Sequence, residues 1–492
     1  MAALPYTVPP AVAFAFPLRE RCLDQLVEGG EHGVVVPVVL VEEGGGHDAL
    51  SACCATSSAW ASVCGWTPTS GSTLLVPDGG AVFKVLLGVD GDGDMWAGAA
   101  LAKLPPGVYS LPSDLTAERA HRLALGFALG CFSFRRYKAT SDLAPAKPLL
   151  CWPASADRKS VAVLAEAFTL ARDLISTPAE DMGPQHMCAE AAALAAAHAG
   201  ASLTVLTGQQ LLDFNYPAVH TVGRASSRPP ALIDLTWCPP GSADGGAGLP
   251  LVCLVGKGVC FDSGGLNLKP AATMLTMKKD MGGAALLMGL AHVVMTAKLP
   301  VRLRLMVPAI DNSVSSDAFR PLDVLQTRSG ITVENMHTDA EGRLILCDAL
   351  FECAQQVPDL LLDAATLTGA ARMALGPEVP AVFSNDDATW SALEAAAQQE
   401  DDPLWRLPLH KGYRRRLDSK VADLSSKGPE AAGGAIVAAL YLQEFVKGAP
   451  RWLHIDTGAW NASSCDGRPE GGEALGLRAL WAFLKQRYTP AS

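Results

Sequence analysis

Residues 337–344 read His-Thr-Asp-Ala-Glu-Gly-Arg-Leu, which places Asp339, Glu341 and Arg343 at alternate positions beside a helix start. Upstream, Lys257, Asp262, Lys269 and Asp280 stand in glycine-rich, otherwise apolar sequence. Lys257 lies inside the run LVCLVGKGVCF, so its ammonium is expected to be buried. Such a lysine must find carboxylates, or lose its proton and act as a neutral amine ligand. Two clusters of this kind point to a metal site built from carboxylates, and therefore to hydrolytic chemistry. Two divalent ions close together need bridging carboxylates to offset about four positive charges, and Asp and Glu oxygens suit Zn²⁺, Mn²⁺ or Mg²⁺. Such a pair lowers the pKa of a shared water and polarises a carbonyl. Lys269 is then placed to stabilise an oxyanion, and Arg343 to hold an anion beside the water.

Each acidic residue also has a purely structural reading. Thr338-x-x-Glu341 fits a capping box for the following helix. Asp280 precedes a helix and suits an N-cap, and Asp262 suits a turn before Gly264-Gly265. Other templates fail. Gly256-Lys257 lacks the first glycine and the Ser/Thr of a phosphate loop, and neither GxSxG nor HExxH occurs.

The elements that must position these residues alternate. Apolar strand candidates lie at Ala231–Trp237, Pro250–Cys260, Val301–Ile310, Asp359–Ala365 and Trp452–Asp456. Helical stretches are expected at Ser160–Ile175, His186–His198, Gly283–Lys298, Glu341–Gln355 and Ile436–Val446. Strands apolar throughout, separated by helices, imply a mainly parallel sheet covered on both faces. Earlier, Gly33–Val41 and Gly80–Val89 read as strands and Leu115–Phe134 as a helix. Asp90–Asp94 reads as a hairpin turn rather than a calcium loop, because Met95 and Leu101 replace its glycine and glutamate. Ala144–Pro153, with three prolines, reads as a linker. The fold class expected is α/β, with a smaller N-terminal α/β domain (1–150) and a larger domain (151–492) holding a mainly parallel sheet flanked by helices.

At 492 residues, 49% hydrophobic and 18% charged, the chain exceeds one core and is well buried. A net charge of −11 argues against a nucleic-acid binder. The basic run Lys411–Lys420 reads as a solvated or subunit-contacting face. Thirteen cysteines without a CxxC pair, with Cys53-Cys54 adjacent, fit reduced core thiols of a cytoplasmic protein. The apolar patch Val8–Leu18 lacks a basic flank and is broken by prolines, so it makes a poor signal peptide. No apolar run approaches the ~20 residues of a membrane helix.

The segments Val255-Gly-Lys-Gly, Phe261-Asp-Ser-Gly-Gly, Leu268-Lys-Pro, Lys279-Asp-Met-Gly-Gly and His337–Leu344 together resemble the leucine aminopeptidase (cytosol aminopeptidase) family of two-metal exopeptidases. Asp363-Ala-Ala-Thr-Leu-Thr-Gly and Arg172-Asp-Leu-Ile-Ser-Thr-Pro add to the likeness, which spans roughly residues 160–490. The resemblance implies that Asp262 and Glu341 bridge two metals, Lys257 and Asp280 complete one site, and Asp339 the other. It implies that Lys269 binds the gem-diolate oxygen and that Arg343 holds a bicarbonate acting as general base. Thr366, Leu367 and Gly369 would bond the substrate backbone, and Met277 would line the pocket for the N-terminal side chain. Zn²⁺ or Mn²⁺, with Mg²⁺ or Co²⁺ as alternatives, peptides with a free N-terminus and leucine or another apolar first residue, and a homohexamer are implied likewise, with an assembly role for residues 1–150. His337 stands where the family carries asparagine, so a role near the metals or substrate is expected of it. The competing readings are a catalytically silent or DNA-binding architectural member and a two-metal phosphoesterase. The complete ligand set, the net charge and the lack of histidine-rich ligands argue against them.

Overall fold

Runs that are apolar at every position suit strands covered on both faces, and they form the centre of the larger sheet. The computed structural model describes residues 22–29, 34–44, 55–78, 81–91, 94–138, 146–428 and 432–489. These divide into two compact units, one within Leu18–Thr169 and Asn461–Glu470, the other within Leu170–Trp460 and Gly471–Ser492.

The smaller unit holds a six-stranded sheet of β1 (Leu26–Val27), β2 (Val35–Glu42), β3 (Thr73–Asp78), β4 (Ala81–Val89), β5 (Val108–Ser110) and β6 (Leu149–Cys151), in the order β1-β6-β5-β2-β4-β3. Its pairs are parallel except β3 with β4. The expected helix at 115–134 runs from Ala117 to Gly130, started by Thr116, whose hydroxyl accepts from Arg119 N at 3.2 Å. Two expectations need correction. The Asp90–Asp94 stretch joins β4 to the helix Met95–Ala100 instead of closing a hairpin, because Asp94 caps that helix by accepting from Ala97 N. The expected linker carries β6, since Leu149–Cys151 is apolar enough to join the sheet. Asp92 and Gly93, and residues 144–145, lie outside the described residues, as do Val8–Leu18 and Cys53-Cys54.

In the larger unit the strands are β7 (Ala201–Thr207), β8 (Ala231–Trp237), β9 (Leu251–Gly256), β10 (Gly258–Asp262), β11 (Arg302–Asn312), β12 (Val324–Gln326), β13 (Thr332–Glu334), β14 (Leu360–Ala365), β15 (Ala381–Ser384), β16 (Trp405–Arg406), β17 (Leu424–Ser425) and β18 (Trp452–Asp456). The main sheet has nine strands in the order β16-β15-β18-β14-β9-β11-β8-β7, with β10 added against β11, and β12-β13-β17 form a small separate sheet. The centre is parallel: β18-β14, β14-β9, β9-β11 and β10-β11. Toward the edges, β15 with β18, β8 with β11 and β7 with β8 run antiparallel. The sheet is therefore mixed and mostly parallel.

Helices cover both faces. Gly282–Thr296 is buried at nearly every position and packs on β9 and β14. On the other face, Cys253 and Val255 of β9 share a core with Leu346 and Leu350 of the helix Glu341–Ala354, and with Tyr441 of Gly434–Gln443. The buried pair Arg172–Glu473, at 3.0 Å, ties the helix Arg158–Ser176 to the C-terminal segment. Cys188, Cys253, Cys260, Cys347 and Cys353 are buried free thiols, while Cys64 and Cys465 are exposed. Among the described residues no helix is long and apolar enough to cross a membrane.

Candidate active site

The carboxyl ends of the central parallel strands meet at one place, where the ladder runs out and side chains converge. Lys257 sits at the break between β9 and β10, with its amide donating to Ala364 O at 3.0 Å. Asp262 ends β10 opposite Asn312, which ends β11. Thr366 follows β14, and Asp456 ends β18 in register with Ala365. Asp280 comes from the short 3₁₀ turn Met277–Met281, and Asp339 and Glu341 from the turn Thr338–Ala340 and the helix start after it.

Lys257 Nζ lies 2.7 Å from Asp280 Oδ2 and 2.9 Å from Glu341 Oε1, and donates to Thr366 O at 3.0 Å. Room for it depends on Gly342: a Cβ there would fall 2.6 Å from Lys257 Cε. Lys269 Nζ pairs with Asp262 Oδ2 at 2.8 Å and also with Asp339. Gly264 and Gly265 take positive φ (89° and 63°), a turn open to glycine, and Gly264 N donates to Asp262 Oδ1 at 2.9 Å. The turn reading of Asp262 thus holds alongside its place in the cluster. The capping readings of the other two do not. Thr338 Oγ1 accepts from Asn267 N and donates to Gly264 O, so it closes no capping box with Glu341. Asp280 Oδ1 accepts from Thr366 Oγ1 at 2.7 Å, and no side chain caps the helix after it.

Asp262, Asp280 and Glu341 are buried, and each offers an oxygen within 4.8 Å of the others. With Asp339 they set four carboxylates against the ammoniums of Lys257 and Lys269. Burial, with Glu341's charge adding to it, pushes Asp262 up to about 7. Burial likewise pushes Asp280 up to about 7, with Lys257 opposing and Asp262 and Glu341 reinforcing. For Glu341 burial acts upward, but Lys257 and Lys269 outweigh it and hold the carboxyl below its ordinary range. Burial acts to lower both lysines, yet the facing carboxylates keep each above the ordinary lysine value. Glu341 Oε2 is buried without a hydrogen-bond partner. A buried cluster short of positive charge, with an orphaned carboxylate oxygen, fits hard or borderline divalent cations.

Every residue singled out in the sequence lines one cavity of about 290 Å³: Lys257, Asp262, Lys269, Met277, Asp280, His337, Asp339, Glu341, Arg343, Thr366, Leu367 and Gly369. Arg343 donates from Nη1 to Ser426 O at 2.8 Å, and its buried Nε has no partner. His337 is half-buried, and its Nδ1 accepts from Asp339 N at 3.2 Å, which commits that lone pair to the backbone. Burial, then the charges of Lys427 and Lys269, lowers its pKa. The 366–369 loop is fixed by Asp456, which accepts from Leu367 N (2.9 Å), Thr368 N (3.1 Å) and Thr368 Oγ1 (2.6 Å). The Leu367 amide is therefore committed within the protein.

The model of the cytosol aminopeptidase family catalytic domain matches residues 169–481, and that of the M17 aminopeptidase N-terminal domain matches 36–149. The chain belongs to the cytosol aminopeptidase family. It is 42% identical over 334 residues to a Peptidase B of Pectobacterium carotovorum subsp. carotovorum (strain PC1), covering 67% of this chain and 76% of that one. Its fold is similar to the cytosol aminopeptidase of Coxiella burnetii, with TM-score 0.88, 42% identity and coverage of 95% of this chain and all of that one. The bottromycin maturation enzyme BotP, solved in complex with Mn, gives TM-score 0.82 at 31% identity, over 93% of this chain and all of that one.

Against this family background, Asn312 stands out as a residue the sequence reading passed over. Its Nδ2 donates to Asp262 Oδ1 (2.8 Å) and to Thr338 O (3.0 Å), tying the two acidic segments together. Asp456 was passed over as well. Both close apolar strands with a polar side chain, RLRLMVPAIDN and WLHID, and that ending at a parallel-strand terminus was the available signal. Lys279, Arg372 and Lys427 also line the cavity and were not singled out.

Proposed function

We propose that this chain is a metal-dependent aminopeptidase that releases the N-terminal residue from peptides with a free α-amine. One observation carries the reading: in an aminopeptidase-family chain, Asp262, Asp280 and Glu341 converge within 4.8 Å, buried, with Glu341 Oε2 unpaired. Asp262 and Glu341 would bridge two divalent ions of the Zn²⁺ or Mn²⁺ type, with Lys257 and Asp280 completing one site and Asp339 the other. When bound, the ions supply Lewis acidity and a water of lowered pKa, and bicarbonate supplies a base.

The protein's own groups do the rest. Lys257 must give up its proton for Nζ to act as a ligand, while Asp280 keeps the oxygen it shares with it. With Asp262 and Asp339 serving as metal ligands, Lys269 would be free to donate to the oxyanion of the attacked carbonyl. Arg343, held by Ser426 and buried with Nε free, is the natural seat for bicarbonate. Thr366, Leu367 and Gly369 frame the substrate backbone on the loop that Asp456 fixes, and Met277 offers apolar surface to a first residue such as leucine. A homohexamer in the cytoplasm, with the smaller unit serving assembly, belongs to the same reading.

The test is hydrolysis of leucyl-p-nitroanilide by purified protein with added Mn²⁺. Activity that chelation abolishes supports the reading. No activity on any unblocked peptide by metal-loaded protein sinks it.

A further inference from the structure

A second cavity, of about 780 Å³, lies in the larger unit between the start of the helix Pro184–Ala197, residues 225–228 and the end of β11. It shares no lining residue with the catalytic cavity. Asp311 of β11 lines it and is 3% exposed. Successive side chains of a strand point to opposite faces, so Asn312 turns to Asp262 while Asp311 turns to this second cavity. Asp311 Oδ2 accepts from Arg228 Nε (2.7 Å) and Ser226 Oγ (2.9 Å), but its buried Oδ1 has no partner. Gln185 lines the same cavity, and its buried Oε1 is equally without a partner. Arg228 is held in place from its other side as well: Nη1 donates to Ala179 O at 2.6 Å, in a space that Gly183 leaves open, since a Cβ there would fall 2.7 Å from Nη1. Glu180 and Asp181 also line the cavity, which therefore sets three carboxylates against one guanidinium. Burial, opposed by Arg228 and Ser226, keeps the Asp311 carboxyl above its ordinary range. A buried acceptor without a donor is costly, and two on one cavity are relieved when a donor enters.

We infer that this cavity is a binding site, apart from the catalytic one, for a ligand carrying an alkyl guanidinium or ammonium group, with Asp311 Oδ1 and Gln185 Oε1 accepting its N–H donors and Glu180 and Asp181 adding charge. The excess of carboxylates selects a cation. Among the described residues, those of this cavity do not close into a group of three within 4.8 Å, as Asp262, Asp280 and Glu341 do. A bare divalent ion therefore lacks its cage, whereas a guanidinium or ammonium spreads several donors over separated acceptors. The volume likewise suits an organic group better than a single ion. Such a group comes either from the Arg or Lys side chain of a peptide or from a free alkyl amine or guanidine. The site stands independently of the reaction at the carboxylate cluster.

The experiment is calorimetric titration of Mn²⁺-loaded wild type, Asp311→Asn, Gln185→Leu and Glu180→Gln with Nα-acetyl-L-arginine amide, whose blocked α-amine keeps it from entering the catalytic site as a peptide N-terminus. Nα-acetyl-L-citrulline amide is the neutral control, and agmatine represents a free alkyl guanidine. Wild type is expected to bind the arginine probe and not the citrulline one. Asp311→Asn should weaken binding about 10–100-fold, the loss of a charged acceptor, and Gln185→Leu about tenfold. Leucyl-p-nitroanilide hydrolysis should be unchanged in Gln185→Leu, which separates loss of this site from loss of the fold. Should Asp311→Asn not fold, Gln185→Leu and Glu180→Gln carry the test. Tighter binding of the arginine probe than of agmatine assigns the ligand to a peptide side chain, the reverse order assigns it to a free amine or guanidine, and either supports the site. No binding by wild type, equal binding of the citrulline probe, or affinity unmoved in both Asp311→Asn and Gln185→Leu overturns it. Uptake of Mg²⁺ or K⁺ that Asp311→Asn abolishes, with no arginine probe bound, would assign the cavity to an inorganic ion and overturn it too.

Discussion

Lys257 Nζ stands 2.9 Å from Glu341 Oε1, joining the break between β9 and β10 to the start of the helix Glu341–Ala354 inside the protein. The same ammonium touches Asp280, so one buried positive charge serves two buried carboxylates. Its removal takes from both their nearest positive charge. In metal-free protein, Lys257→Met should destabilise by about 3–5 kcal/mol, the cost of breaking a buried pair from one side. Divalent metal should restore part of that stability by supplying charge to the same oxygens. Denaturant unfolding with and without Mn²⁺ checks this, and a Lys257→Met protein as stable as wild type without metal would contradict it.

Asn312 orients Asp262 while touching neither lysine of the cluster. Asn312→Ala frees that carboxylate and loses the tie to Thr338 O. Groups that orient a ligand set metal affinity, so Mn²⁺ binding should weaken about 10–100-fold. Calorimetric titration of the stripped variant gives the value. Affinity equal to wild type would show that the Gly264 amide alone holds Asp262 in place.

His337 caps the turn that carries Asp339. An asparagine oxygen can accept from the same amide, and asparagine is at least as good a cap. His337→Asn is therefore expected to stay within about 0.5 kcal/mol of wild type. A larger loss would mean that the imidazole packs in a way the amide cannot replace, and thermal unfolding decides.

How far the sequence led can be seen in these same residues. Lys257, Asp262, Asp280 and Glu341 stood out because charge inside apolar, glycine-rich sequence has few other uses, and the long apolar strands and helices around them were legible from period and length. Asn312 was not, since a neutral amide ending a strand carries no charge to mark it. β7 alternates Ser and Thr with apolar residues, and β15 spans only Ala381–Ser384, so neither had the uniform apolar run that marked the centre. β6 was hidden by the prolines around it.

Stability should also carry a pH signature away from the cluster. His454 Nδ1 lies 2.6 Å from Asp363 Oδ1, both fully buried, and Trp452 Nε1 donates to the other Asp363 oxygen at 2.7 Å. Burial works to lower the imidazole's pKa, but the Asp363 charge outweighs it and the net shift is upward. The folded protein then holds this proton more tightly than the unfolded chain. The contribution is complete below the unfolded value of about 6.5 and is lost as pH rises through the folded one. In chelator, the stability difference between wild type and His454→Gln should shrink as pH rises across that window. Parallel curves would contradict this.

The carboxylate cluster is expected to hold two metal ions that the peptidase reaction requires. Protein stripped with chelator and titrated with Mn²⁺ should take up two equivalents per chain, and leucyl-p-nitroanilide hydrolysis should rise with occupancy. Glu341→Gln, which removes the proposed bridge, should bind less metal and lose about a thousandfold in kcat/KM, or about 4 kcal/mol of transition-state stabilisation. Wild type that binds no metal, or that hydrolyses the substrate equally well with and without it, would contradict the account.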